Sequence, residues 1–329
     1  MSRHRCISLD SPTEWNEALT NVPHSFAHTH ENCYAMSLTT GYNTFLFCFE
    51  KEGLKIICPV AERKYNGRTD ILTPYGFSGF AGTGNCPGFA EYWNDFANKN
   101  NYVCGYISIN PLLQNNTYFK NEDSFISTNL YFIDTGLSLT ELYENLDVNR
   151  KKQIKNYRKY EAEFIYDRKA LTDFFIDNYY DFLKRINASP ANYFTKETLE
   201  YICSLENIFL VGAGTKENLE AVYIFGYTQY IGDCLFNVAT PEGREYSPLL
   251  LWCGLKFFRK NKIPLMNLGG GIREDDSVAL SKQRFGAYKL PFINLKQIYN
   301  HDAYNFLCEE KDINPDERSG YFPAYRKVF

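Results

Sequence analysis

The sequence predicts two similar α+β domains in tandem, each a mixed, mostly antiparallel sheet flanked by helices. Three observations predict it. The chain has 329 residues, 44% apolar and 22% charged, a balance that supports a globular protein with room for two ordinary domains. The segment NTFLFCFEKEGLKIICPVAERKYNGRTDILTP from residue 43 returns as NIFLVGAGTKENLEAVYIFGYTQYIGDCLFNVATP from residue 207, half a chain later. Aligned, Phe45-Leu46 falls on Phe209-Leu210, Lys51-Glu52 on Lys216-Glu217, Leu54 on Leu219, Tyr65-x-Gly67 on Tyr230-x-Gly232 and Thr73-Pro74 on Thr240-Pro241. Both copies are apolar runs joined by short polar turns, at residues 50–53 and 215–218, and such runs read as antiparallel meanders.

The elements that follow each copy match as well. Apolar residues at helical spacing predict helices over 89–98 and 247–260, and each helix leads into an apolar strand, 102–109 and 263–268. Ser247 is the expected N-cap of the second helix, with Pro248 at the first helical position. Before the second copy, residues 137–160 place Leu139, Leu142, Leu146 and Ile154 on one face, with Arg150, Lys151, Lys152, Lys155, Arg158 and Lys159 on the others. Residues 171–186 repeat Phe174, Phe175, Tyr179, Phe182, Leu183 and Ile186 at the same period. These patterns set the domain boundary near Asn149, with domains at 1–148 and 149–313.

Composition excludes several function classes. No apolar run approaches the roughly eighteen residues needed to cross a bilayer. The polar start, Met-Ser-Arg-His-Arg-Cys, lacks the zones of a secretory signal, so a cytoplasmic location is expected. A net charge of −4 argues against a surface built throughout for nucleic acid and leaves a local basic patch open. The ten cysteines form no Cys-x-x-Cys pair and are expected to be reduced thiols, most of them in apolar runs.

Motifs narrow the chemistry further. The triplet Gly269-Gly270-Gly271 follows a predicted strand and precedes Ile272-Arg273-Glu274-Asp275-Asp276-Ser277, with Lys282 and Arg284 close behind. Glycines at a strand end permit a sharp turn or a close backbone approach. No Gly-Lys-Ser/Thr follows, which excludes a P-loop, and neither Gly-x-Gly-x-x-Gly nor Gly-x-Ser-x-Gly marks a dinucleotide site or a nucleophile elbow. Acid, hydroxyl and base within a dozen residues of the glycines make this cluster a candidate site without naming a reaction. His24, His28 and His30 have only Glu31 and Cys33 as near companions, a poor set for zinc, and no metal site is expected. The basic run at 150–159 reads as a solvated helix face, with contact to a phosphorylated substrate or tRNA as the competing reading.

In order along the chain stand TPYGFSG at 73–79, INPLL at 109–113, NRKKQIKNYRK at 149–159, NYYDFLKRINASPANYF at 178–194, LGGGIREDDSVALSKQRFGA at 268–287 and YFPAYR at 321–326. This series resembles the Fem-type acyltransferases, peptidoglycan-bridge aminoacyltransferases and related bacterial enzymes of cell-envelope polysaccharide biosynthesis built from two GNAT-like domains. The resemblance spans almost the whole chain and accounts for the internal repeat. It implies that the tail, 314–329, packs back on the first domain. The repeat implies an expected cleft between the two domains, lined by TPYGFSG and LGGGIREDDS.

The resemblance implies transfer of an acyl group to an amine or hydroxyl of a nucleotide-linked or lipid-linked sugar. Lys282 is the implied catalytic charge, with Asp276 and Glu274 as the nearby acids. The family commonly has Phe before that lysine, where this chain has Ser281. Tyr75, Gly76, Tyr179, Arg185, Tyr193, Gly270, Gly271 and Arg284 are the implied substrate-binding residues. Asn237, Gly243, Arg244 and Ser247 are the donor-side candidates, although PEGREYSP at 241–248 is not the CoA fingerprint loop. Acyl-CoA is the first expected co-substrate, with no permanently bound cofactor. An aminoacyl-tRNA donor with a cell-wall precursor as acceptor is the alternative, and a non-catalytic glycan-precursor-binding protein is a third. Peripheral contact with a membrane is compatible with a lipid-linked acceptor.

Overall fold

The computed structural model describes residues 2–155, 157–161, 163–214, 218–271 and 276–327. The chain forms two compact units, Met1–Ser127 with Pro291–Phe329, and Thr128–Leu290.

The first unit opens with β1 (Arg3–Ser8), α1 (Pro12–Leu19) and α2 (His30–Thr40). The meander β2 (Asn43–Lys51), β3 (Leu54–Tyr65) and β4 (Arg68–Leu72) follows, then the short β5 (Ala81–Gly82), α3 (Phe89–Lys99) and β6 (Tyr102–Ile109). The strands of the meander pair antiparallel, whereas β4 and β6 pair parallel across α3. The helical crossover supplies the length that a parallel connection requires. Alternation in β2 explains why it is buried on both sides: Phe45, Phe47 and Phe49 join the core with Trp93 and Phe96 of α3. Leu46 and Cys48 join Trp15, Leu19 and Cys33 on the α1–α2 side.

The second unit takes in the end of β7 (Ser124–Asp134) and three short helices, α4 (Leu139–Glu144), α5 (Val148–Ile154) and α6 (Tyr157–Glu161). The longer α7 (Arg168–Arg185) and α8 (Lys196–Ser204) lead into the meander β8 (Ile208–Gly214), β9 (Leu219–Tyr227) and β10 (Ile231–Ala239). Helix α9 (Ser247–Lys260) crosses over to β11 (Leu265–Gly270), which pairs parallel with β10 and antiparallel with β7. After α10 (Ser277–Gln283), the strand β12 (Tyr288–Ile298) carries the chain back, pairs with β6 and is followed by α11 (His301–Glu309). The repeat is thus structural: each unit runs meander, crossover helix, parallel strand. The second copy's turn at Thr215, Lys216 and Glu217 lies outside the described residues.

Three expectations change. The division falls at Ser127 rather than at Asn149, because β7 and α4 serve the second unit: Tyr131, Ile133, Leu142 and Leu146 share a core with Leu250 and Phe258 of α9. The stretch 137–160 is three helices. Ser138 caps α4 in a capping box with Glu141, and Asp147 caps α5 by accepting from the Arg150 amide, so two start signals divide one apolar stripe. Ser247 is not an N-cap: a 3-10 turn, Glu242–Tyr246, runs directly into α9, and Ser247 already has helical backbone.

All ten cysteines are free thiols. The histidine rings use backbone and hydroxyl partners: His24 Nδ1 lies 2.7 Å from the Val22 carbonyl, His30 Nε2 lies 2.7 Å from the Leu9 carbonyl, and His28 Nδ1 meets Ser25. Burial pushes the His28 pKa down to about 3, so the ring is neutral.

The tail is fixed by a buried carboxylate. Asp70 of β4, 1% exposed, accepts from Arg63 Nε at 2.8 Å, Arg326 Nε at 2.6 Å and Tyr325 Oη at 3.0 Å. Tyr325 and Phe322 pack with Val103, Cys104 and Tyr304 beneath it. Removing one partner of a buried ion pair strands the others, at a cost of about 3–5 kcal/mol. Asp70→Ala is therefore expected to lower unfolding stability by that order in a urea titration and to make the chain after Gly320 sensitive to protease. A melt unchanged within 1 kcal/mol would refute this.

Candidate functional site

The second unit carries an opening that its own backbone creates. Strands β10 and β11 share three parallel rungs, Ile231 with Leu265, Gly232 with Met266 and Asp233 with Asn267. Beyond Asp233 and Asn267, β10 stays paired with β9 as far as Ala239, and β11 returns to β7 at Gly270. The polar groups at the parting point are buried and satisfied: Asn267 Nδ2 donates to Asp233 Oδ1 at 2.9 Å, and Asn267 Oδ1 accepts the Gly269 amide at 2.8 Å.

The glycine triplet stands at a strand end, as its sequence predicts, and part of it belongs to the strand. Gly269 and Gly270 end β11 as a bulge against β7, the register shifting between Asn267 and Gly270. Gly269 has φ +75°, a conformation that side chains disfavour. The bulge presents the Gly270 carbonyl to Lys282, whose Nζ donates to it at 2.6 Å.

Lys282 sits near the end of α10, and short contacts fix that helix. Asp276 caps it by accepting the Ala279 amide at 2.7 Å. Arg150 of α5 reaches Ser281 Oγ at 2.7 Å and lies over the Phe285 ring. Ser281, where the family pattern has Phe, is thus a docking point for α5. Arg284 belongs to the same clamp: its carbonyl accepts the Asp147 amide at 2.9 Å, and its Nε lies 3.5 Å from Asp147 Oδ2.

Burial pushes the Lys282 pKa down to about 8, against the opposing pull of the Asp276 carboxylate at the start of α10. Burial likewise raises the Cys234 thiol to about 12, which keeps it neutral. Lys282 is therefore a largely charged group at neutral pH, held on one carbonyl and influenced by one nearby acid, with a pKa low enough to exchange a proton in mildly alkaline solution. Glu274 lies outside the described residues, as do Ile272, Arg273 and Asp275. Gly271 is described and half-buried.

The other predicted residues fall into three groups. Arg185 ends α7 with its guanidinium on the Ala239 carbonyl, at the end of β10, and over the Phe182 ring. Tyr179 is buried against Phe175 and Phe236 and donates to the Asn192 carbonyl, while Tyr193 is partly exposed and stacks on Tyr180. In the first unit, Tyr75 is exposed and Gly76 packs on Ala27. Their loop is bracketed by Asn32 to the Tyr75 carbonyl and by Ser25 and Asn110 to the Phe77 carbonyl.

The donor-side candidates form no phosphate cradle. Gly243 packs so closely on β9 that a Cβ would stand 2.1 Å from the Glu220 carbonyl oxygen, and its amide is bonded to Thr240 Oγ1 at 3.0 Å. Arg244 is exposed between Glu242 and Glu245. Ser247 is bonded to Tyr223, and Asn237 is a half-buried rung opposite Tyr223. Asn267 and Asp233 were not singled out in the sequence, and Arg150 figured there only as part of the basic run. The Asn two residues before Gly269 was the available signal for the first of them.

No protein-family model matches the sequence, and no curated protein sequence is similar to it. Solved structures do share its fold. FemX aligns over 92% of this chain and 99% of its own at a TM-score of 0.69 and 11% identity. A conserved protein of unknown function from Bacteroides thetaiotaomicron aligns over 91% and 100% at 0.60 and 10% identity. L-PGS from Bacillus licheniformis aligns over 90% and 94% at 0.57 and 11% identity. The likeness is one of fold: the chain shares with FemX the arrangement of two α+β units that the sequence predicts.

The Lys282 pKa gives a signed expectation. Between pH 8 and the ordinary lysine value of 10.5, the unfolded chain binds the proton that the folded chain has lost. Stability contributed at this residue therefore rises with pH through that window. Denaturant titrations at pH 7.5 and 10 should show the rise in the native chain and its loss in Lys282→Met, and equal pH dependence in both would count against the buried lysine.

Proposed function

We propose that the protein transfers an acyl or aminoacyl group from an activated ester to an amine or hydroxyl of a sugar or lipid-linked precursor, with Lys282 as its central charge. One observation carries this reading: a half-buried ammonium held on the Gly270 carbonyl beside the gap where β10 and β11 part. Fold likeness to FemX and to L-PGS from Bacillus licheniformis supports it.

Acyl transfer needs little more than such a site and an oriented acceptor. As the acceptor nitrogen or oxygen bonds to the ester carbon, the carbonyl oxygen gains charge, which a nearby ammonium in a partly dry site stabilises. Collapse of the tetrahedral species breaks the bond to the leaving oxygen, which takes up a proton. A lysine with a pKa of about 8 is well placed to provide that proton and to regain one from the acceptor. Arg185 suits an acceptor phosphate, since a guanidinium offers paired donors.

Of the two donors, the geometry favours aminoacyl-tRNA over acyl-CoA. The turn before α9 offers a pyrophosphate two carboxylates, Glu242 and Glu245, and no free Gly243 amide. The exposed side chains of Lys152, Lys155, Arg158 and Lys159 on α5 and α6 suit a phosphodiester backbone. This face adjoins the lysine-bearing helix through the Arg150 contact with Ser281.

The test incubates the protein with candidate sugar and lipid-linked acceptors and either charged tRNAs or acyl-CoAs, with product read by mass spectrometry. Product from tRNA alone is expected. Product from acyl-CoA alone would overturn the donor assignment, and acceptor binding with no transfer from either would leave a binding protein. Lys282→Met should lower kcat by about 10²–10³, and a folded variant with native kcat would remove Lys282 from the chemistry. Lys152→Glu with Lys155→Glu and Arg158→Glu should weaken tRNA binding at least tenfold at 0.1 M salt and flatten its salt dependence. An unchanged salt slope would place the RNA elsewhere.

A further inference from the structure

We propose that Asn267 is a positioning residue for Lys282, acting through the β11 bulge to fix the Gly270 carbonyl on which the ammonium rests. The inference concerns how the site is held. Its catalytic consequence rests on the transferase reading above.

The links are consecutive. Asn267 is 1% exposed and occupies the last parallel rung, where backbone pairing between β10 and β11 ends. Its amide nitrogen is fixed on Asp233 Oδ1 at 2.9 Å, which orients the side chain. Its amide oxygen then accepts the Gly269 N–H at 2.8 Å, an Asx turn that keeps Gly269 at φ +75°. Gly269 in that conformation shifts the register, and the next carbonyl, that of Gly270, accepts Lys282 Nζ at 2.6 Å.

An extended strand alternates its carbonyls from side to side, so without the bulge the Gly270 carbonyl would follow the ladder instead of meeting Lys282. A buried amide serves this purpose better than an apolar residue of equal size, since it donates to β10 and accepts from β11 together. Asp233 thereby acts at one remove as the anchor of the amide. The titratable groups facing Lys282 among the described residues are Cys234 from β10 and Asp276 at the start of α10. Neither bonds Asn267 in this chain of contacts, so a change at Asn267 reaches the lysine through the Gly270 carbonyl.

The experiment follows the Lys282 side chain by two-dimensional NMR of the full chain labelled at lysine, with Lys282→Arg identifying its signal and pH varied from 6 to 11. The native midpoint is expected near 8. Asn267→Ala deletes both hydrogen bonds and should move the midpoint down by about one pH unit, because the buried ammonium loses the carbonyl that favours its charged form. Asn267→Ser is the rescue: a hydroxyl two residues before an amide can accept it, as Thr228 Oγ1 accepts the Tyr230 amide here at 3.1 Å. The serine midpoint should stay within 0.3 of native. Thermal melts confirm that each variant is folded, and Asn267→Leu, which fills more of the site, stands in if the alanine variant is not.

A folded alanine or leucine variant with the native midpoint overturns the proposal, as does a serine variant shifted as far as alanine. If neither apolar variant folds, the serine midpoint decides by the same limit. With an active transfer assay, Asn267→Ala should lose about tenfold in kcat with KM within twofold. Loss of the transferase reading would leave the NMR result standing, so the two failures are distinguishable.

Discussion

Keeping a lysine ammonium half inside a protein requires that the surroundings replace the water it has lost. In the second unit the Gly270 carbonyl and the Asp276 carboxylate supply part of that replacement. Much of the local architecture follows from that requirement. The bulge turns the carbonyl, Asn267 and Asp233 hold the bulge, and Arg150 and Asp147 hold the helix on which the lysine stands. The compensation is partial, which is why the lysine loses its proton more readily than a solvated one.

The two units show how one chain path reaches different ends. Both contain a meander, a crossover helix and a parallel strand, and both bury an aspartate in the third strand of the meander, Asp70 and Asp233. In the first unit the gap after the parallel pair is closed by further bonds, from the Thr73 amide to the Tyr106 carbonyl, the Ser108 amide to Thr73 Oγ1 and the Asn110 amide to the Ser78 carbonyl. There the aspartate gathers two arginines and a tyrosine to anchor the tail. In the second unit the pairing stops, and the aspartate orients Asn267 instead. A buried carboxylate thus anchors the tail in one case and orients an amide where two strands part in the other.

The same economy explains the turn before α9. A glycine there would be a phosphate ligand if its amide were free and its surroundings positive. Gly243 instead lacks a side chain because β9 lies against it, and its neighbours are acidic. Positive charge is found on α5 and α6, where no carboxylate neutralises Lys152, Lys155, Arg158 and Lys159 among the ion pairs of the described residues.

The sequence by itself determined the tandem α+β plan, because hydrophobic periodicity and strand-turn chemistry are local signals, and repeating them half a chain apart leaves little choice of topology. It also pointed to Lys282 and the glycine triplet, since residue type and spacing carry that information directly. What the tertiary structure alone decided are the features that depend on partners distant in sequence. Whether β7 joined the first or second unit rested on which core received Tyr131 and Ile133. Whether Ser247 capped α9 rested on the turn packed before it. Asn267 is an ordinary strand residue until Asp233, 34 positions away, fixes its amide. The depressed lysine pKa likewise belongs to no motif, because desolvation is a property of the packed surroundings and not of the residue.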